Sequence, residues 1–140
     1  MCGDEGALLW RCGRGAGSGL LERVLPRLRQ AYWPDFVVAN GENLDITVPE
    51  LGRAGIHPES LGRLLALGVD AVTGGNHSFD PPWAEEVLGH ARVVRPLNYS
   101  RHAPGKGSLL LKKRGKELLV VNLAGRSALP HAGDPVEAFE

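Results

Sequence analysis

"VDAVTGGNHSFD", residues 69–80, carries the pattern that decides the fold. A short apolar run, Val69 to Val72, gives way to two glycines, and Asn76 and His77 then stand side by side ahead of Asp80. A buried strand that stops at glycine and then delivers polar side chains has the form of a parallel strand's carboxyl end. On its amino side, "HPESLGRLLALG" (57–68) predicts the clearest helix in the chain. Pro58 suits a first turn, Glu59 lies near the positive end of the helix dipole, and Leu61, Leu64 and Leu65 share one face. Gly68 stands where a C-terminal cap belongs.

Further out, the same alternation of helix and strand repeats. "LLERVLPRLRQ" (20–30) places Leu20, Leu21, Val24, Leu25 and Leu28 on one helical face, with Pro26 as a weak point or a bend. "PDFVVANGEN" (34–43) predicts a buried strand, Phe36 to Ala39, stopped by Asn40-Gly41. "LDITVPELGRAGIH" (44–57) has no clean period and is expected to be an excursion loop. "DPPWAEEVLGHA" (80–91) predicts a helix with Trp83, Val87 and Leu88 as its apolar side, and "ARVVRP" (91–96) a third short strand. "SLLLKKRGKELLVVNL" (108–123) is two β-runs around Arg114-Gly115, a hairpin signal. The order predicts an α/β layered fold with a mostly parallel first half. There is no internal repeat, although "GRGAGSG" (13–19) comes close to low complexity.

Composition excludes several classes. A chain of 140 residues can build one domain with a core, and hardly two. Its 16 Lys+Arg balance 16 Asp+Glu, which leaves no excess positive field for a nucleic-acid duplex or an anionic membrane. No apolar run approaches the ~20 residues of a membrane-spanning helix. "MCGDEGALLW" (1–10) carries acids where a signal peptide would carry Lys or Arg. Cys2 and Cys12 are the only cysteines and make no disulfide framework. The expectation is a cytoplasmic protein.

Two predicted strands end in polar clusters: Asn40-Gly41-Glu42-Asn43, and Gly74-Gly75-Asn76-His77. The side chains delivered are a carboxylate, amides and an imidazole, a donor set suited to divalent metals of the Mn/Fe/Zn range. Taken singly, each cluster has a plainer reading. Asn-Gly is a common turn, Asn after a strand often caps the next helix, and a lone His beside a turn is usually a surface residue. Two such clusters at one sheet edge favour a site.

"PDFVVANGEN", "GVDAVTGGNHSFD", "VVRPLNY", "APGKG" and "VVNLAGR" follow one another as in the bacterial YmdB-like metallophosphoesterases, and over residues 20–140 the chain resembles that family. The family is calcineurin-like, and its members are described as 2′,3′-cyclic-nucleotide phosphodiesterases. The resemblance implies a β-sandwich flanked by helices, two divalent metal ions (Fe or Mn) at the strand ends, and a small-molecule phosphodiester or cyclic nucleotide as substrate. It leaves a homo-oligomer open. Carried over by residue, it implies that Glu42 bridges the metals and Asn43 binds one of them. Asn76 would bind the other through its amide oxygen, and His77 would protonate the leaving alkoxide. The glycines then let the backbone pass close to the metals.

The chain departs from the family in three places. The family opens with a strand and Gly-Asp-x-x-Gly-x-Pro-Gly, whose Asp is a metal ligand. Here stands "MCGDEGALLWRCGRGAGSG", with no evident strand ahead of Asp4, so that role is not carried over. Trp is encoded only by TGG, and suitable codons for Trp10 to Ser18, shifted by one base, spell Gly-Asp-Val-Val-Gly-Glu-Pro-Gly. A local frameshift over roughly residues 2–19 is therefore expected. Residues 1–19 are expected to form an aberrant, poorly ordered N-terminus, and 20–140 a partial metallophosphoesterase domain. The loop 44–57 differs from the family's shorter glycine-rich one, and the further His ligands of the family's second half lie beyond this sequence. Two other readings stand beside the enzyme. One is an inactive remnant or interaction module. The other is a dinucleotide-binding domain on the glycines at 13–19, which needs a firm strand before them, for which only Ala7-Leu8-Leu9-Trp10 is available as a weak match, and an acidic residue about 20 positions on.

Overall fold

A computed structural model of the chain describes residues 7–11, 17–48, 53–127 and 129–140. Along it run β1 (Ala7–Arg11), α1 (Gly17–Tyr32), β2 (Phe36–Asn40), β3 (Asp45–Val48), β4 (Arg53–Gly55) and α2 (Pro58–Ala66). After these come β5 (Ala71–Thr73), a 3₁₀ turn (Asn76–Phe79), α3 (Ala84–Gly89), β6 (Val93–Val94), β7 (Ser108–Lys113) and β8 (Lys116–Val121).

Phe36 to Ala39 of β2 are all buried, as a strand covered on both faces must be. The main sheet has the order β1-β2-β5-β6 with every pairing parallel, so the carboxyl ends of the strands fall at one edge. Successive side chains of β2 enter opposite layers. Val37 and Ala39 join Leu21 and Leu25 of α1, Leu61 and Leu64 of α2, and Val87 and Leu88 of α3 in the larger core. Val38, with Ala71 and Val94, packs on the other face against Val120 and the half-buried Leu109, Leu111 and Leu118 of the β7–β8 hairpin. The result is a mixed α/β arrangement of helices, parallel sheet and hairpin.

Local signals account for the best-read elements. In α2, Pro58 sits in the first turn and the His57 ring accepts the Glu59 N–H at 3.3 Å. The helix ends in a Schellman motif: Gly68 has φ +82°, its N–H reaches the Leu65 carbonyl at 2.9 Å, and the Val69 N–H reaches Leu64 at 3.1 Å. The hairpin turns at Arg114-Gly115, with φ of 51° and 75°. Positive φ at both central residues is what the right-handed twist of paired strands favours. α1 continues past Pro26, anchored by the fully buried Leu21 and Leu25.

One expectation is corrected. The stretch 44–57 is not a plain loop: β3 and β4 pair antiparallel, with a register shift between Ile46 and Val48. Strands of four and three residues are too short to display a period, and their stability comes from outside the pattern. Asp45 accepts the His57 N–H at 2.8 Å and the Ser60 hydroxyl at 2.7 Å, which ties the excursion to α2. The run Ala7-Leu8-Leu9-Trp10, the stretch available as a strand ahead of the glycines of 13–19, does form one. β1 pairs with β2 from Ala7↔Phe36 to Arg11↔Asn40, because a neighbouring ladder supplies hydrogen bonds whatever the composition of the strand. Asp4, Cys2, Cys12 and most of the glycine run lie outside the described residues. The strand does not rescue the dinucleotide reading. Such ligands use a crevice between strands on either side of the first one, and β1 is the edge of the sheet among the described residues.

Candidate functional site

β2 and β5 are neighbours, so the residues that leave their carboxyl ends emerge together. Beyond β2 the chain turns at once. The Leu44 N–H bonds the Gly41 carbonyl at 3.0 Å, and the Asn40 side chain accepts the Glu42 N–H at 3.2 Å. Beyond β5, the Gly74 N–H bonds the Val94 carbonyl at 3.0 Å and the Gly75 N–H bonds the buried Ser78 hydroxyl at 2.8 Å. That arrangement bends the backbone into the 3₁₀ turn. A Cβ built on Gly75 would overlap the Glu42 carboxylate, so a side chain there would push the carboxylate from its place. Glu42 Oε1 instead accepts the Asn76 N–H at 3.1 Å.

Glu42 and Asn76 line one cavity of about 190 Å³, with Asn40, Gly74, Gly75 and Asn122 around them and Leu123 to Gly125 as a wall. Asn43 is half-buried in the turn after Glu42 but does not line this cavity. His77 lies outside it too, its Nδ1 3.3 Å from Asp80 Oδ2. The structure thus brings Glu42 and Asn76 into contact and sets Asn43 and His77 at the margin. Among the described residues Glu42 has no cationic partner.

Asn122, to which the sequence assigned no role, closes the site. Its amide donates to the Gly74 carbonyl at 2.8 Å and to the Val94 carbonyl at 3.0 Å, joining the end of β8 to those of β5 and β6. Buried Asn98 does the same for the wall. It donates to the Ala124 and Gly133 carbonyls at 2.8 and 2.9 Å and accepts the Ala124 N–H at 2.9 Å. The signal for Asn122 was present in "VVNLAGR", a β-run ending in Asn as "FVVAN" does. Arg95, buried just after β6, gives one bond to the Pro96 carbonyl at 2.8 Å and leaves Nε without a partner. Burial pushes its guanidinium pKa down.

Among the described residues no three His, Cys, Asp or Glu side chains gather to hold a metal. The donor chemistry nevertheless fits part of a shell. Glu42 supplies one charge and Asn76 a neutral amide oxygen, and the missing Cβ of Gly75 leaves the carboxylate room. No described helix is long and apolar enough to cross a membrane.

The sequence profile of the YmdB-like proteins matches residues 12–140. A 2′,3′-cyclic-nucleotide 2′-phosphodiesterase of Bacillus subtilis is 35% identical over 120 residues, which are 85% of this chain and 43% of that protein. A hypothetical protein from Thermus thermophilus superposes with a TM-score of 0.80 at 35% identity, over 95% of this chain and 50% of the other. The crystal structure of a novel phosphatase from Mycoplasma pneumoniae does so with a TM-score of 0.81 at 26% identity, over 95% and 48%. The chain therefore spans about half the length of the proteins it matches. With the profile matched over 12–140, it belongs to the YmdB-like protein family.

Proposed function

We propose that the cavity at the carboxyl edge is half of a metal-dependent phosphodiesterase site that acts on a small phosphodiester, a cyclic nucleotide in particular. The observation that carries this reading is the contact of Glu42 with the Gly75-Asn76 turn, two strand ends meeting on one cavity. In this reading Glu42, Asn43 and Asn76 hold two divalent ions, Fe or Mn. Such ions neutralise a phosphodiester and supply a hydroxide nucleophile. Amide ligands add no negative charge to repel the substrate. His77, held by Asp80, donates the proton that the leaving alkoxide needs. The hairpin covering one face of the main sheet is consistent with a β-sandwich completed by the family's second half, and the two cysteines with a cytoplasmic setting.

Three ligand residues cannot fill two coordination spheres, so the chain alone is expected to bind metal weakly and turn over little or nothing. The experiment is hydrolysis of a 2′,3′-cyclic nucleotide, with Mn(II) or Fe(II), by the 140-residue chain and by a version completed with the family's opening motif and second half. The completed protein should be active. There His77→Ala should keep the metals and lose about 10²–10⁴-fold in rate, whereas Asn76→Ala should lose metal as well. Strong turnover by the chain alone contradicts the incomplete site. No turnover by the metal-loaded, completed protein contradicts the phosphodiesterase reading and favours the remnant.

A further inference from the structure

At the opposite, amino end of the parallel strands lies a second cleft, of about 310 Å³, lined by Arg29, Gln30, Trp33, Pro34 and Arg114. Trp33 follows α1, where a glycine is usual, and holds φ 48° with 78% of its surface exposed. A bulky aromatic in the left-handed region is costly, and here burial does not compensate for it. The two guanidiniums beside it are placed by independent devices. Arg29 donates to the Gly68 carbonyl. Arg114 sits in the hairpin turn, and that turn is fastened on either side by Lys113–Asp70 at 3.0 Å and Lys116–Asp35 at 2.6 Å. These pairs occupy the nearby carboxylates, and among the described residues Arg114 has no acidic partner.

We propose that this cleft binds a small ligand that joins a flat ring to an anion, of the nucleoside-monophosphate class, with the ring on Trp33 and the anion between Arg29 and Arg114. Indole faces stack on planar rings, and the Arg114 guanidinium can fork onto phosphate or carboxylate oxygens. Arg29, with Nη2 on the Gly68 carbonyl and Nε buried, adds positive charge beside them. The lining has no carboxylate to oppose an anion. The volume is near the lower bound for ligand cavities, which suits a mononucleotide rather than a chain segment. The inference is independent of the phosphodiesterase reading, since the cleft shares no residue with the Glu42 cavity.

The test is calorimetric titration of the chain with adenosine monophosphate, adenosine and inorganic phosphate, repeated on Trp33→Gly, Arg114→Asn and Glu42→Ala. Glycine suits the backbone after α1 and Asn suits the hairpin turn, so both cleft variants should fold. Saturable binding of the monophosphate is expected, with adenosine and phosphate each weaker by at least about tenfold. Trp33→Gly and Arg114→Asn should each weaken the monophosphate by at least about tenfold. Trp33→Gly should raise the thermal midpoint at the same time, and Glu42→Ala should bind as the parent does. Absence of saturable binding, unchanged binding by Trp33→Gly, or loss of binding in Glu42→Ala would each overturn the assignment.

Discussion

The two ends of the main sheet treat their carboxylates in opposite ways. At the amino end, Asp35 pairs with Lys116 and Asp70 with Lys113, and Asp70 also accepts the Val37 N–H at 2.8 Å. At the carboxyl end, Glu42 is held by a backbone N–H and by the absence of a Cβ, with no cation beside it among the described residues. The side chains that fasten the strand ends around it, Asn40, Ser78, Asn98 and Asn122, are uncharged. One end spends its charges on holding the fold together. The other keeps a carboxylate uncommitted, which is the condition for binding a cation.

Three substitutions probe that contrast. Gly75→Ala should have the largest effect. Its methyl group would displace the Glu42 carboxylate, and because that is the free end of a flexible side chain the effect falls on metal binding rather than on stability. A Mn(II) titration should show metal binding lost while denaturant unfolding changes by less than about 1 kcal/mol. If metal binding survives Gly75→Ala, Glu42 is not held as described. Asn122→Ala should follow, at about 1–2 kcal/mol, because the Gly74 and Val94 carbonyls lose a shared donor. Lys116→Met should cost least, below about 1 kcal/mol, since Lys116 is half exposed and its pair is screened by water. High salt should erase that last difference and leave the Asn122→Ala effect unchanged. Equal salt sensitivity at both ends would remove the distinction between them.

What the sequence disclosed follows the range of the forces involved. α2 and its glycine stop, the 114–115 turn and the buried strands at 36–39 and 71–73 were legible because caps, turn geometry and double-sided burial are written in adjacent residues. β1 was legible only as the weak run Ala7–Trp10, because its stability as a strand is lent by the ladder of β2. β3 and β4 were hidden by their shortness and by a shift of register. At the site, Glu42 and Asn76 could be paired in advance because each follows a strand of the same parallel sheet. The part played by Asn122 could not, since its partners are 48 and 28 positions away and only the packed hairpin brings them near.

The most direct measurement is a Mn(II) titration of the purified chain followed by electron paramagnetic resonance, beside Glu42→Ala and Lys116→Met. Weak, saturable binding is expected, abolished by Glu42→Ala and left as it was by Lys116→Met. Binding that survives Glu42→Ala, or no binding by the parent chain at any accessible concentration, would contradict the claim that the carboxyl edge of the sheet is built to hold a metal.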